Sequence, residues 1–298
     1  MKIGLVLPMF TGDASRLRAF AERAERLGFD GVFGSDHLFP PGHPERPSLE
    51  AFTTLAVLGV AHPGLEVGTL VARAGVRPPG LLAKMAASVD DMTGGRFILG
   101  LGSGDPGDRP EHEAFGMPAD FSLEGRRALL TETVRAVKTL FDGAPWEGGE
   151  HTPAMRGPLL PAPSRKGGPP VWVGGVSDEL VQVAARYADG WNGWGLSFEE
   201  FERKAGLLAE EARAAGREVE ATWAGLAALG GDEAEVGETA ASRRAKGLPD
   251  VWTGTTDRLA SFVRDLGQAG ARWAIFAPVG GDEIVVRIAA AVLPPACS

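Results

Sequence analysis

A parallel eight-stranded β/α barrel is the fold class the sequence predicts, and three observations predict it. Short apolar runs alternate with amphipathic helical segments from the first residues onward. Strand-like runs recur near residues 3, 32, 67, 98, 172, 191, 224 and 275, which is the barrel count of eight. The 298 residues are enough for one barrel, which uses roughly 250. The rival is a doubly wound sheet. It would want phosphate-binding glycines after the first strand, where Pro8, Met9 and Phe10 stand instead.

Taken in order, residues 3–8 read as a buried strand. Residues 13–27 read as a helix with Leu17, Phe20, Ala21, Ala24 and Leu27 on one face, ended by Gly28. A second strand covers 32–34. Helix 49–62, strand 65–71, helix 79–92 and strand 97–101 follow, then a long helix over 122–141. Residues 142–170 are rich in proline and glycine without periodicity, and read as an excursion or insertion too long for an ordinary connection. Order resumes with strand 171–173, helix 178–187, a short strand near Trp191, helix 198–215 and strand 221–229. Helices over 233–247 and 256–269, strand 273–277 and helix 282–292 close the chain as one domain over residues 1–298.

The composition narrows the function. A hydrophobic share of 44% fills a large core, and a net charge of −9 without a basic cluster argues against nucleic acid as a partner. The one cysteine, Cys297, permits no internal disulfide and fits a reducing cytoplasm. No apolar stretch reaches the ~18 residues of a membrane helix, and residues 1–10 lack the pattern of a signal peptide.

Three segments could carry chemistry. Ser35, Asp36 and His37 follow the second strand, where barrel active sites lie; His37 is a candidate acid or base, and Asp36 could orient it or bond a cofactor. The bland alternative is a pair that ties down a loop. Gly100 to Gly104 resemble a dinucleotide fingerprint, but Pro106 and Pro110 disfavour the immediate helix a pyrophosphate needs. A strand end open to a flat or anionic ligand, or a plain glycine turn, are the other readings. Gly174, Gly175, Val176 and Ser177 suit a phosphate at a helix start, although Asp178 and Glu179 could serve that helix themselves. The remaining histidines have no helical metal spacing, so no metal site is expected. Trp172, Trp191 and Trp194 could line a pocket or fill the core.

The order of these segments is more telling than any one of them. KIGLVLP opens the chain and A-x-x-A-E-x-L-G-F-D-G-V-F-G-S-D-H follows at 21–37. R-P-P-x-x-L-A-K-M-A-A-S-V-D-D-M-T-G-G-R-F-I-L-G-L-G-S-G runs from 77, E-x-x-A-F-G-M-P covers 111–118, and V-W-V-G-G with A-A-R-Y-A-D-G-W covers 171–191. Together they resemble the bacterial luciferase-like oxidoreductases, over residues 1–195 above all. The resemblance implies a TIM barrel that uses reduced FMN or the deazaflavin coenzyme F420. It implies Asp36 near the cofactor and His37 beside the substrate, a match to F420 members. It implies a cis peptide at Leu70–Val71 behind the ring and Gly174 to Ser177 at its phosphate; Gly102, Ser103 and Gly104, at the strand end open to a flat ligand, are candidate cofactor-binding residues as well. Asp105 matches a glutamate acid of some members with a side chain one methylene shorter, and Arg77-Pro78-Pro79 stands where Arg-His-Pro is common.

The resulting expectation is F420-dependent hydride transfer to or from a small organic substrate. The alternatives are an FMN-dependent monooxygenase supplied by a separate reductase, and a non-catalytic flavin-binding barrel. A homodimer is implied as well. Loops 38–48, 105–121 and 142–170 are expected to set the substrate.

Overall fold

The computed structural model describes residues 1–117, 120–246 and 251–294; Cys297 and Pro118 lie outside them. Eight parallel strands close a barrel: β1 (Lys2–Val6), β2 (Gly31–Gly34), β3 (Glu66–Arg73), β4 (Phe97–Gly102), β5 (Val171–Gly174), β6 (Gly190–Trp194), β7 (Glu220–Leu229) and β9 (Ala271–Pro278). The ring closes because β6 pairs with β7 and β9 pairs with both β7 and β1. These are the eight strands expected from the sequence. A further strand, β8 (Trp252–Gly254), pairs outside the ring with the last residues of β7. It was not expected, since three residues carry no readable period.

Helices wrap the ring: α1 (Ala14–Leu27), α2 (Ala51–Ala61), α3 (Pro79–Met92), α4 (Arg109–Ala114), α5 (Leu123–Phe141), α6 (Asp178–Tyr187), α7 (Phe198–Ala214), α8 (Glu233–Ala245), α9 (Thr256–Gln268) and α10 (Asp282–Val292). Their starts follow local chemistry. Asp13, Ser122, Ser177, Ser197 and Thr255 each accept a hydrogen bond from an amide of the first turn. Gly28 ends α1 at φ +88°, a conformation glycine adopts without steric cost. No helix among the described residues is long and apolar enough to cross a membrane.

The core has two layers. One lies between helices and barrel. The other fills the barrel with Phe33, Leu70, Ile98, Trp172, Ala224, Trp273 and Ile275. Phe33 stacks on Trp172 at 5.8 Å and meets Trp273 edge-on at 5.3 Å. Gly4, Gly31, Gly68 and Gly190 leave the space these rings occupy. Trp172 and Trp191 are thus core, while Trp194 is exposed at the top of β6.

Two expectations need correction. The prolines after β4 do not prevent a helix there: a 3-10 turn over Pro106–Asp108 leads directly into α4. Pro106 and Pro110 occupy first-turn positions, where the missing N–H is not needed. The 142–170 excursion is also not at the mouth. Between α5 and β5 it leaves from the strand-start end, packs outside α3 and α5, and returns. Glu132 on α5 accepts from the amides of Glu150 and His151, Met155 covers Gly80, and Arg165 bonds Asp90 and the Phe97 carbonyl. Loops 38–48 and 105–121 do follow the carboxyl ends of β2 and β4, and touch through Phe39 and Phe115, 6.5 Å apart.

Candidate active site at the carboxyl ends of the strands

The residues just past β2 are built into an ionic network. His37 Nδ1 lies 2.8 Å from Glu111 Oε1. The other oxygen of Glu111 accepts from the Leu38 amide and from Arg73 Nη2, both at 2.7 Å. Arg73, only 5% exposed, also donates from Nε and Nη2 to the Asp36 carbonyl, at 3.1 and 2.7 Å. Its Nη1 faces Asp108 Oδ1 at 3.4 Å. Asp108 in turn accepts from the Asp105 amide at 2.7 Å, in a box that closes the turn.

Glu111 is 2% exposed. Burial pushes its carboxyl up, but the bonds from His37, Arg73 and Leu38 outweigh this and hold it down at about 2. A carboxyl lowered by folding contributes stability that is fully present above its ordinary value of 4.5. That contribution is lost as the pH falls towards about 2. Glu111→Gln is therefore expected to flatten the acid limb of unfolding, followed by circular dichroism from about pH 5 down to pH 2.

Asp36 stands differently from expectation. It is 2% exposed, and both carboxylate oxygens are taken: Arg77 donates to them at 2.7 and 2.9 Å, and the Arg73 amide at 3.3 Å. Arg77 also bonds Glu50 at 2.7 Å and lies over the Phe52 ring. Asp36 is thus one half of a buried ion pair that anchors the loop behind His37.

The other expected residues lie at and just past the carboxyl ends of β3, β4 and β5. The Leu70–Val71 peptide is cis, and the register of β3 against β4 shifts between Thr69 and Ala72. Leu70 belongs to the barrel interior. The Val71 side chain occupies space left by Gly100, Gly102 and Gly174. A Cβ on Gly174 would meet Val71 at 2.7 Å, and one on Gly175 would strike Leu180. The Gly175 amide is already given to the Asn192 carbonyl at 3.1 Å. These glycines thus make room for protein side chains. Because Gly175 has φ +153°, Gly175→Val is expected to lower the melting temperature of the protein without ligand, and not only its cofactor affinity. A differential scanning measurement on the free protein checks this.

Ser103 is half-buried, and the Gly104 carbonyl accepts from Arg126. Asp105 is exposed, and its carboxylate accepts from the Gly107 amide at 2.8 Å as the cap of the turn. Val176 is exposed, and Ser177 caps α6. Asp178 turns away from its own helix onto Arg203 and Lys204. Phe10, Phe115, Val176 and Trp194 form an exposed apolar rim on the strand-end side, with the Phe10 ring 6.0 Å from His37. Donor atoms of His37, Asp108 and Glu111 lie within 4.8 Å of one another, the spacing of a metal group. The Arg73 guanidinium between them already supplies the positive charge.

Sequence reading missed Glu111, Arg73, Arg77 and Asp108 as site residues. Glu111 opens the motif at 111–118 and Arg77 the motif at 77, so both stood inside quoted segments. Arg73 and Asp108 gave no signal.

Comparison with known proteins places the barrel among oxidoreductases. An F420-dependent hydroxymycolic acid dehydrogenase of Mycobacterium tuberculosis is 29% identical over 221 residues, covering 72% of this chain and 59% of that protein's length. An F420-dependent secondary alcohol dehydrogenase, solved with an F420-acetone adduct, superposes with a TM-score of 0.81 at 17% identity, covering 97% of this chain and 96% of that one. The monooxygenase RslO1 from Streptomyces bottropensis gives 0.75 at 21% identity, covering 98% of each chain. Likeness at this level of identity speaks for the barrel alone. The luciferase-like monooxygenase family matches residues 1–290, and the chain belongs to that family of oxidoreductases.

Proposed function

We propose that the protein catalyses hydride transfer between coenzyme F420 and a small organic substrate, with His37 moving the substrate's proton. The observation that carries this is the His37 ring, held by a buried carboxylate at the strand-end face with a quarter of its side chain exposed. Similarity to an F420-dependent dehydrogenase supports the cofactor.

The residues present fit a flat ring with an anionic tail. Phe10, Val176 and Trp194 offer apolar surface. Val71 is drawn into the wall by the glycines around it, which keeps the β3 bulge close beneath the mouth. Asp178 is turned away onto Arg203 and Lys204, while Glu179 stays at the first turn of α6 on Ser177 and its own amide, so a phosphate there would share the helix start with that carboxylate. When bound, the deazaflavin supplies a carbon that accepts or returns a hydride, and both electrons with it. His37 takes the proton that the substrate hydroxyl gives up, or returns it in the opposite direction. Phe39, past β2, and Phe115, at the end of α4, approach each other to 6.5 Å on the same side.

An FMN-dependent monooxygenase fed by a separate reductase is the second reading, and the apolar rim favours it equally, because it would shield a reduced flavin. Titration of the purified protein with F420 and with FMN, followed by absorbance and fluorescence, separates the two. Tighter F420 binding and no substrate-dependent oxygen uptake are expected; tight FMN binding with oxygen uptake would reverse the assignment. We also propose a homodimer, supported by the exposed Val57, Val60, Leu81 and Met92 on α2 and α3. Sedimentation velocity tests it.

A further inference from the structure

We propose that Glu111 is a positioning residue that fixes His37 in one tautomer, with the proton on Nδ1 and the reacting lone pair on Nε2, and that Arg73 is the strut that holds Glu111 in place. This rests on the reading of His37 as the group that moves the substrate's proton. It goes beyond that reading by naming the atom and the residues that select it.

A neutral imidazole carries one N–H and one lone pair, and the partner of one nitrogen decides the role of the other. An ionised carboxylate accepts hydrogen bonds and cannot donate them. Glu111 is such a group, so the nitrogen 2.8 Å from its Oε1 carries the proton. That nitrogen is Nδ1. Nε2 has no hydrogen bond among the described residues, and the Phe10 ring flanks the imidazole at 6.0 Å. Nε2 is thus the atom left for substrate.

Arg73 makes the arrangement rigid. One guanidinium bonds both the Glu111 carboxylate and the carbonyl of Asp36, the residue before His37. It therefore holds the backbone from which the ring springs and the carboxylate that orients it. The Leu38 amide, on the other side of His37, bonds the same carboxylate at 2.7 Å. Glu111 Oε2 faces two donors, the Leu38 amide and Arg73, while Oε1 faces only the ring.

This asymmetry gives the test. In Glu111→Gln the amide oxygen must face the two donors on the Oε2 side, which turns the NH2 towards His37 Nδ1. A donor now meets Nδ1, so Nδ1 becomes the acceptor and the proton moves to Nε2. A tie that only joins α4 to the loop after β2 would survive the change with the ring unaltered. The comparable change of carboxylate to amide behind the histidine of a serine-protease triad leaves the geometry intact and lowers turnover about 10⁴-fold.

The experiment is nitrogen NMR of histidine-labelled protein, without cofactor or substrate, on wild type, E111Q and E111D, with melting temperature and turnover measured on the same samples. Wild type is expected to show His37 with a protonated Nδ1 and an unprotonated Nε2, and E111Q the reverse, with turnover lowered about 10²-fold or more. E111D, still an ionised acceptor, is expected to keep the wild-type tautomer and to exceed E111Q in turnover; it reads the same question if E111Q does not fold. A wild-type ring protonated on Nε2, an unchanged tautomer in E111Q, or a reversed tautomer with undiminished turnover would each overturn the proposal. Failure of the hydride-transfer reading would instead show as undiminished turnover in His37→Ala with the NMR result intact.

Discussion

His37→Ala is expected to lower turnover by roughly 10²–10⁴-fold, the usual contribution of a positioned acid or base, while cofactor affinity stays nearly intact. The fold should tolerate the change. Glu111 loses its Nδ1 partner but keeps the Leu38 amide and Arg73, so its charge remains compensated. The ring is also not in the barrel interior, which Phe33, Trp172 and Trp273 fill without it. Steady-state kinetics with a verified substrate, beside a cofactor titration, check both halves. Turnover at the wild-type level would show that another group moves the proton.

Asp36→Ala is expected to fail in stability. The change leaves Arg77 and the Arg73 amide facing an emptied, buried site. Removing one partner of a buried ion pair costs about 3–5 kcal/mol. Arg77 keeps Glu50, which places the expected loss at the lower end. For a chain of this size the melting temperature should fall by roughly 5 °C. Asp36→Ala combined with Arg77→Ala should lose less than the two single losses added together, because no buried charge is then unpaired. Affinity of the folded fraction for cofactor should barely change. Weakened affinity at an unaltered melting temperature would put the Asp36 carboxylate back at the ring. The two neighbours are thus expected to fail in different ways, His37 in rate and Asp36 in stability.

The barrel was legible because each of its strands is a short apolar run followed by an amphipathic helix, and that alternation is local. What was lost was lost for physical reasons. α4 was hidden by prolines that block a helix interior but suit its first turn. β8 is three residues long and exists only because the end of β7 offers an edge. At the site, Asp36 and His37 were readable from their place after a strand, but their partners were not. Arg77 and Glu111 reach them from 41 and 74 residues away, and no spacing rule covers such contacts. The glycines of β4 and of the β5 end read equally as openings for a ligand or as plain turns, and the side chains of Val71 and Leu180 that pack against them lie too far along the chain to be read beside them. A sequence shows that room exists without showing which atom takes it.

The unequal strands have one more consequence. β6 ends at Trp194, which pairs with Ala224, yet β7 runs on to Leu229. Five further residues at about 3.3 Å each carry it roughly 16 Å higher. β9 climbs beside it as far as Pro278 opposite Ala227, and β8 braces the top against the last three residues of β7. β1 stops at Val6, one residue past the Leu5–Phe276 pair, and β2 at Gly34, opposite Thr69 of β3, which itself runs on to Arg73. The barrel thus has two long staves, β3 and β7, with the shorter ends of β1 and β2 between them. Phe10 and His37 follow β1 and β2 and so stand in the low stretch of the rim between the two long strands.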